Sequence, residues 1–189
     1  MTAPLLRKAR TVAGANLVLR DATVADAEFI LSLRLDPVKG RHLAPTSPRL
    51  QDQVDWLTSY ASATDQAYFV VCDRDGSRIG CLRMYDPVGD SYCWGSWLMV
   101  SGLSPLAAIE ANVLVYAYGR WLGFRDVRLD VRRENTAVWR FHERFAGAKR
   151  VRETELDYFY VVDEAKVDAL LRKYRHLLTD PLAVVAEAR

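Results

Sequence analysis

The stretch SYCWGSWLMVSGLSPLAAIEANVLVYAYGRWLG, residues 91–123, decides the fold of this 189-residue chain. Its first ten residues have the aromatic and apolar composition of a strand, and Gly95 in their middle predicts a bulge or a close approach of another backbone. A loop of small residues follows, and a helix is predicted from Pro105 to Trp121, because proline is favoured in the first helical turn. That helix is apolar on almost every side, so we expect a sheet to bury it.

The rest of the chain divides into short elements, which hydrophobic period and turn residues separate. Further strands are predicted at residues 17–20, 67–73, 78–85, 127–131 and 155–162, and further helices at 24–35, after 47, before Gly147 and at 163–178. The order β-α-α-β-β-β-α-β-α-β-α predicts one α/β domain whose mixed β-sheet carries helices on both faces. Residues 1–16 are expected to form a flexible arm, 17–162 the domain, and 163–189 a C-terminal helix and tail.

Composition narrows the class of partner. The net charge is +2 and charged residues make up 26% of the chain, which is too mild a balance to predict a nucleic-acid partner. No apolar run approaches the roughly 20 residues that a membrane span needs. The three cysteines show no spacing typical of metal ligands, so reduced thiols in a cytoplasmic protein are expected.

A strand that leads through small residues into a helix forms a site for anions, because the first N–H groups of a helix lack intrahelical partners. Residues 101–108, SGLSPLAA, are such a loop, with Glu110 close behind and Asn135 four residues after the end of the next strand. Together with the order of elements, these features resemble the GNAT family of acyl-CoA-dependent N-acetyltransferases over about residues 17–162. The likeness is greatest to the subgroup that acts on ribosomal-protein N-termini or on small amines such as nucleotide-linked amino sugars.

The resemblance implies a site for acetyl-CoA between two strands that part, with no metal. Its pantetheine arm is expected to pair with backbone groups of Leu98, Met99 and Val100, and the N–H of Leu98 or Met99 is expected to stabilise the oxyanion. Its pyrophosphate is expected at Leu103, Ser104, Leu106, Ala107 and Ala108. Asn135 matches the family's cofactor-contacting asparagine.

His142 stands where the family has a tyrosine that protonates the departing thiolate. A histidine, whose ordinary pKa is near 6.5, is an easier donor than a tyrosine near 10. The resemblance therefore implies that His142 is an acid, either as imidazolium or through a neutral N–H. The alternative is an ordinary half-buried ring packed beside Trp139.

Two departures from the family pattern affect the expected chemistry. Pro105 and Leu106 stand where the usual loop has a basic residue and paired glycines. The glutamate that often precedes the strand glycine is absent, so Asp86, Glu110 and His42 are the candidate bases. Glu110 has a simpler alternative as an acid that favours the positive end of its helix.

The acceptor is expected at Arg34, Arg41 and His42, around the first helix and its loop, with Tyr85, Trp94 and Trp97 as a stacking floor. Solvated charges and core packing are the alternatives for these residues. The predicted function is transfer of an acetyl group from acetyl-CoA to the primary amine of a small molecule or of a protein N-terminus, by direct attack in a ternary complex. A non-catalytic acyl-CoA-binding regulatory module, and a structural domain that forms a homodimer through its aromatic strands, are the alternatives.

Overall fold

In the computed structural model, which describes residues 3–186, nine strands form one mixed sheet and five α-helices pack on it. The strands are β1 (Ala9–Gly14), β2 (Leu17–Asp21), β3 (Ala67–Asp73), β4 (Arg78–Val88), β5 (Ser91–Met99), β6 (Asp126–Arg132), β7 (Lys149–Glu153), β8 (Asp157–Val162) and β9 (Leu178–Ala186). The helices are α1 (Ala27–Leu35), α2 (Leu50–Ser62), α3 (Pro105–Trp121), α4 (Thr136–Phe145) and α5 (Glu164–Lys173). The sheet order is β7-β8-β6-β5-β4-β3-β2-β1-β9, which confirms the predicted α/β fold.

Two hydrophobic clusters lie on opposite faces of the sheet. The larger one buries α3 and α5 against one face, and the smaller one buries α1 and α2 against strands β3 to β5 on the other face. Within the described residues, no helix combines the length and apolarity that crossing a membrane requires.

The ends of the chain differ from the sequence expectation. Residues 9–14, expected in a flexible arm, form β1, and its Ala9 and Val12 are fully buried. Residues 178–186, expected in a tail, form β9, which pairs with β1. This pairing joins the two ends of the chain, so no local pattern predicts it. Residues 1–2 and 187–189 of the expected arm and tail lie outside the described residues.

Helix α3 approaches the sheet closely at one position. A Cβ placed on Gly119 would overlap the ring of Tyr92, whose hydroxyl donates to the carbonyl of Val115 at 3.0 Å. The helix begins at the predicted Pro105, with Ser104 as its N-cap, and Gly123 follows it with φ of 97°. The apolar composition of α3 therefore matches the face that it buries.

The strands β5 and β6 part, as expected. They pair in parallel at Ser91–Cys93 against Asp126–Arg128, whereas β6 continues along β8 as far as Arg132. A bulge lies just beyond this parallel pairing. Arg83 of β4 pairs with Gly95 and Cys81 pairs with Leu98, so one residue of β4 faces two of β5, and the first of these, Ser96, has φ of 50°. The predicted bulge is thus confirmed, and a slot opens between the far ends of β5 and β6.

Candidate active site

The backbone of Met99 forms one edge of the slot. Val100 donates its N–H to the carbonyl of Ile79 at 2.9 Å, so its backbone points toward β4. Backbone direction alternates along a strand, which turns Leu98 toward β4 as well and turns Met99 toward the slot. The prediction that Leu98 and Val100 also pair with a ligand there is therefore wrong, because β4 already occupies that edge of both residues.

The start of α3 offers fewer free donors than a typical helix. Pro105 has no N–H, the N–H of Leu106 donates to the Ser104 hydroxyl at 3.2 Å, and that of Ala107 donates to the Ser104 carbonyl at 3.0 Å. Leu103 and Ala107 also pack partly buried against the core. The five residues assigned to pyrophosphate, with Ala108 the last, do lie together beside the slot, but their binding role stays a prediction.

Asn135 lies at the N-cap of α4, on the opposite side of the slot. Its carbonyl accepts from the N–H groups of Val138 and Trp139, but its carboxamide makes no capping hydrogen bond to the helix. An asparagine at an N-cap normally uses its side chain to cap. The carboxamide of Asn135 is therefore available to a ligand at the position that the sequence predicts.

His142 is buried at the base of the slot, with 3% of its surface exposed. Its ring packs edge-on against Trp94 at 5.4 Å and lies 6.2 Å from Trp97, so the alternative of packing beside Trp139 is wrong. Burial lowers the pKa of His142 to about 4, so the ring is neutral near pH 7. Among the described residues, its Nδ1 has no hydrogen-bond partner.

The bulge changes the direction of two tryptophans. Trp94 and Trp97 are three residues apart, yet the extra residue at Ser96 turns both toward α4, with ring centroids 6.1 Å apart. Trp94 is buried at 2% exposure, and Trp97 contacts Phe141 of α4 at 5.4 Å. Their predicted role as an acceptor floor is therefore wrong, because they face the slot side of the sheet.

A cavity of about 380 Å³ lies on the other face of the sheet. Residues from α1, α2, the loop between them and the sheet line it, including Arg34, Asp52, Trp56, Tyr68, Arg83 and Ser96. Ser96 belongs to the bulge as well, so the cavity reaches the part of β5 that no longer pairs with β6. We name this space the acceptor cavity.

The structure brings only part of the predicted acceptor set to this cavity. Arg34 lines it, with its Nε donating to the Thr46 hydroxyl at 2.9 Å. Arg41 and His42 lie in a 3₁₀ turn just before the lining loop, and Arg41 Nε donates to His42 Nε2 at 2.8 Å. Burial and the neighbouring Arg41 lower the pKa of His42. Neither Arg41 nor His42 is among the residues that line the acceptor cavity, so the structure does not support their predicted contacts with the acceptor.

Sequence reasoning missed Asp130 of β6. Its carboxylate accepts from the Tyr85 hydroxyl at 3.0 Å and from the Cys93 thiol at 3.1 Å. The Tyr85 oxygen lies 3.2 Å from a Cβ placed on Gly95, and the Tyr85 ring lies against Arg83 of the acceptor cavity. Burial raises the pKa of Tyr85, so its hydroxyl stays protonated. Buried and exposed residues alternate along β6, which places Asp130 on the face of the sheet opposite α3. This alternation could have identified Asp130 from the sequence.

Two of the predicted bases are engaged elsewhere. Glu110 is fully buried, and its carboxylate accepts from the backbone N–H groups of Asn16 and Leu17, at 2.6 and 2.9 Å, and from the Asn16 side chain. It therefore stabilises the turn between β1 and β2. Asp86 forms an ion pair with Arg128 at 3.0 Å, where β5 and β6 are still paired. Both assignments as catalytic bases are corrected.

No cluster of three His, Cys, Asp or Glu side chains suited to a metal occurs within residues 3–186.

Comparison with known proteins agrees with this geometry. The family model described as acetyltransferase (GNAT) domain matches residues 16–147. The solved structure of apo FdhC, described as a nucleotide-linked sugar GNAT, is 27% identical, with a TM-score of 0.79 over 89% of this chain and 98% of that one. A probable GNAT acetyltransferase from Chromobacterium violaceum is 19% identical, with a TM-score of 0.75 over 89% and 93% of the two chains.

A third similar structure is a mutant of the spermidine N-acetyltransferase SpeG from Vibrio cholerae. It is 15% identical, with a TM-score of 0.67 over 80% of this chain and 95% of that one. Identity at this level, and that of the Chromobacterium protein, shows a shared fold alone. Comparison with curated protein sequences finds no significant match.

Proposed function

Because this chain belongs to the acetyltransferase (GNAT) family, we propose that it transfers an acetyl group from acetyl-CoA to a primary amine in a ternary complex. The observation that carries the proposal is that the strands part next to the bulge that lines the acceptor cavity. The pairing of β5 with β6 ends at Cys93, three residues before Ser96, and the acceptor cavity reaches Ser96 from the α1 and α2 side. A donor and an acceptor bound in these spaces would meet without crossing the sheet.

The residues around the slot fit a pantetheine arm and its thioester. Met99 directs an N–H and a carbonyl into the slot, and Asn135 carries a carboxamide that does not cap its helix. His142 Nδ1 and Trp97 Nε1 are buried polar atoms for which the described residues supply no partner. Buried polar groups are nearly always paired, so a water or a polar group of a ligand is the expected partner of these two atoms. When bound, acetyl-CoA supplies an activated acyl group.

The chain's own residues position the reactants and move the protons. Asp130 takes the proton of the attacking amine through the Tyr85 hydroxyl, which donates to it at 3.0 Å and whose ring contacts Arg83 of the acceptor cavity. The Met99 N–H stabilises negative charge at the carbonyl oxygen. His142, being neutral, donates an N–H hydrogen bond that stabilises the departing thiolate, and the thiolate then takes the proton that was removed from the amine. Positioning alone can account for roughly 7–11 kcal/mol of the barrier.

The acceptor that we propose is a small molecule, such as a nucleotide-linked amino sugar, rather than a lysine side chain. An amine with a pKa near 8 is about one-tenth neutral at pH 7, whereas a lysine near 10.4 is almost entirely charged. A single carboxylate is a sufficient base for the former. The likeness to a nucleotide-linked sugar GNAT supports the same class. A protein N-terminus has a similar pKa and is the second member of the screening panel.

The test is the release of free CoA from acetyl-CoA in the presence of a panel of amines. Wild-type protein should acetylate at least one amino sugar, and Asp130→Asn should lower turnover by at least about tenfold. Asp90→Asn, at an exposed position with the same change of charge, is the control. Equal turnover of Asp130→Asn and wild type would remove Asp130 from the mechanism.

A non-catalytic acyl-CoA-binding module is the second candidate function. Two observations favour it: the donors at Leu106 and Ala107 are engaged by Ser104, and no carboxylate precedes Gly95. Saturable binding of acetyl-CoA without acetyl transfer to any amine of the panel would establish this function over the enzymatic one.

A further inference from the structure

Arg83 is a half-buried cation on the wall of the acceptor cavity. Its Nε is buried without a hydrogen-bond partner, and its guanidinium lies 5.2 Å from the ring centroid of Trp56 and 5.1 Å from that of Tyr85. Among residues 3–186 no carboxylate lies within ion-pair distance of it; burial lowers its pKa, and the more distant charge of Asp65 opposes that shift. A partly desolvated charge without a direct ion-pair partner costs stability, which ring contacts compensate only in part.

A second cation faces the same cavity. Arg34 donates to the Thr46 hydroxyl, and its positive charge contributes to lowering the pKa of Arg83. The only carboxylate on the described part of the wall is Asp52, which Arg49 holds in an ion pair at 2.8 Å. The wall therefore presents two guanidinium groups and one carboxylate that is already neutralised.

From this arrangement we infer that the acceptor amine carries a phosphate or carboxylate group, which Arg83 and Arg34 bind inside the cavity. The inference rests on the proposed function and names its class of acceptor. Guanidinium groups bind both anions through paired N–H donors, and the bound anion relieves the uncompensated charge of Arg83. A polycationic acceptor meets like charge in the same space and is excluded.

The register of the sheet limits how far this anion lies from the reacting amine. Arg83 pairs with Gly95, the residue directly before the bulge, and paired Cα atoms of neighbouring strands are about 5 Å apart. The anionic group therefore binds next to the bulge, close to the expected place of the reacting amine. Amino-sugar phosphates and amino-sugar acids meet this condition.

The experiment compares three acceptors that share one amine: D-glucosamine, D-glucosamine 1-phosphate and glucosaminuronate. In the CoA-release assay, the kcat/KM for the better anionic sugar should exceed that for glucosamine by at least about tenfold. Comparison of glucosamine 1-phosphate with glucosaminuronate then distinguishes phosphate from carboxylate. Arg83→Met should lower that ratio by about tenfold, and Arg83→Lys should lower it less. Arg10→Met, an exposed position on β1, is the matched control and should preserve the ratio.

A calorimetric titration of inorganic phosphate into wild type and Arg83→Met gives a second readout that needs no turnover. Phosphate should bind wild type at least about tenfold more tightly. Transfer to glucosamine at the same kcat/KM as to both anionic sugars would overturn the inference and leave the proposed function standing. Phosphate binding that depends on Arg83, without transfer to any amine, would support the anion site and overturn acetyl transfer. Phosphate binding equal in the two proteins would overturn the inference.

Discussion

Replacing His142 with phenylalanine should make the protein less sensitive to mild acid. The pKa of His142 falls from 6.5 to about 4 on folding, because burial disfavours the charged ring. The unfolded chain binds this proton more tightly, so the stability associated with His142 is complete above pH 6.5 and is lost as the pH falls toward 4. The loss amounts to about 2 kcal/mol at pH 5 and about 3 kcal/mol at pH 4.

Urea unfolding of wild type and His142→Phe at pH 7.5, 6.5, 5.5 and 5 measures this loss. Other groups titrate in the same range, so the quantity of interest is the difference between the two proteins. The variant should gain about 2 kcal/mol relative to wild type between pH 7.5 and 5. Phenylalanine keeps an aromatic ring against Trp94 and removes the unpaired nitrogen, so the variant should fold.

His176→Gln, at an exposed position, controls for the loss of one histidine. Parallel stability curves for wild type and His142→Phe would refute the reasoning, because they would mean that His142 binds its proton equally well in both states. The evidence that burial keeps His142 neutral would then be lost.

Three further substitutions separate structural from functional roles. Glu110→Gln should cost about 2 kcal/mol or more in urea unfolding, because the amide NH₂ that replaces one carboxylate oxygen cannot accept from the Asn16 carboxamide and the remaining bonds lose their charge. Turnover per folded molecule should stay within about twofold, and lost turnover with unchanged stability would restore Glu110 as a base. Gly119→Ala should lower the thermal midpoint of unfolding, because the added methyl group overlaps the Tyr92 ring. This overlap outweighs the helix propensity of alanine, which favours it over glycine by about 1 kcal/mol. A raised midpoint would contradict the close approach of α3 to the sheet. Asn135→Ala should raise the KM for acetyl-CoA by about tenfold. It should cost less than about 0.5 kcal/mol of stability, since the carboxamide does not cap α4. A loss of about 1 kcal/mol in stability with an unchanged KM would show that Asn135 caps the helix and does not bind the cofactor.

Local patterns predicted the parts of the fold that local interactions determine. Asp75-Gly76 forms the expected tight connection between β3 and β4, with Gly76 at φ of 90°. Pro105 begins α3, and Gly95 stands directly before the bulge. The edge strand β7 was missed because KRVRE has no apolar alternation and every residue in it is exposed.

The misassigned residues of the site depend on contacts that are distant in sequence. Glu110 binds the turn at Asn16, 94 residues away. Asp130 meets Tyr85 only because β4, β5 and β6 are neighbours in the sheet. The direction of Trp94 and Trp97 depends on the position of the extra residue in the bulge. If the bulge lay outside the segment between them, the two rings would lie on opposite faces of the sheet. Sequence reasoning located the slot, but it did not determine which side chains face it.

The central claim is that the edge of β5 at Met99 is open and receives acetyl-CoA. Amide hydrogen exchange of the Met99 N–H, followed by NMR with and without saturating CoA, tests it directly. The Met99 N–H should exchange rapidly in the free protein and become strongly protected with CoA, while the N–H of Val100, which already donates to Ile79, should change little. Strong protection of Met99 without ligand, or no change on addition of CoA, would contradict it.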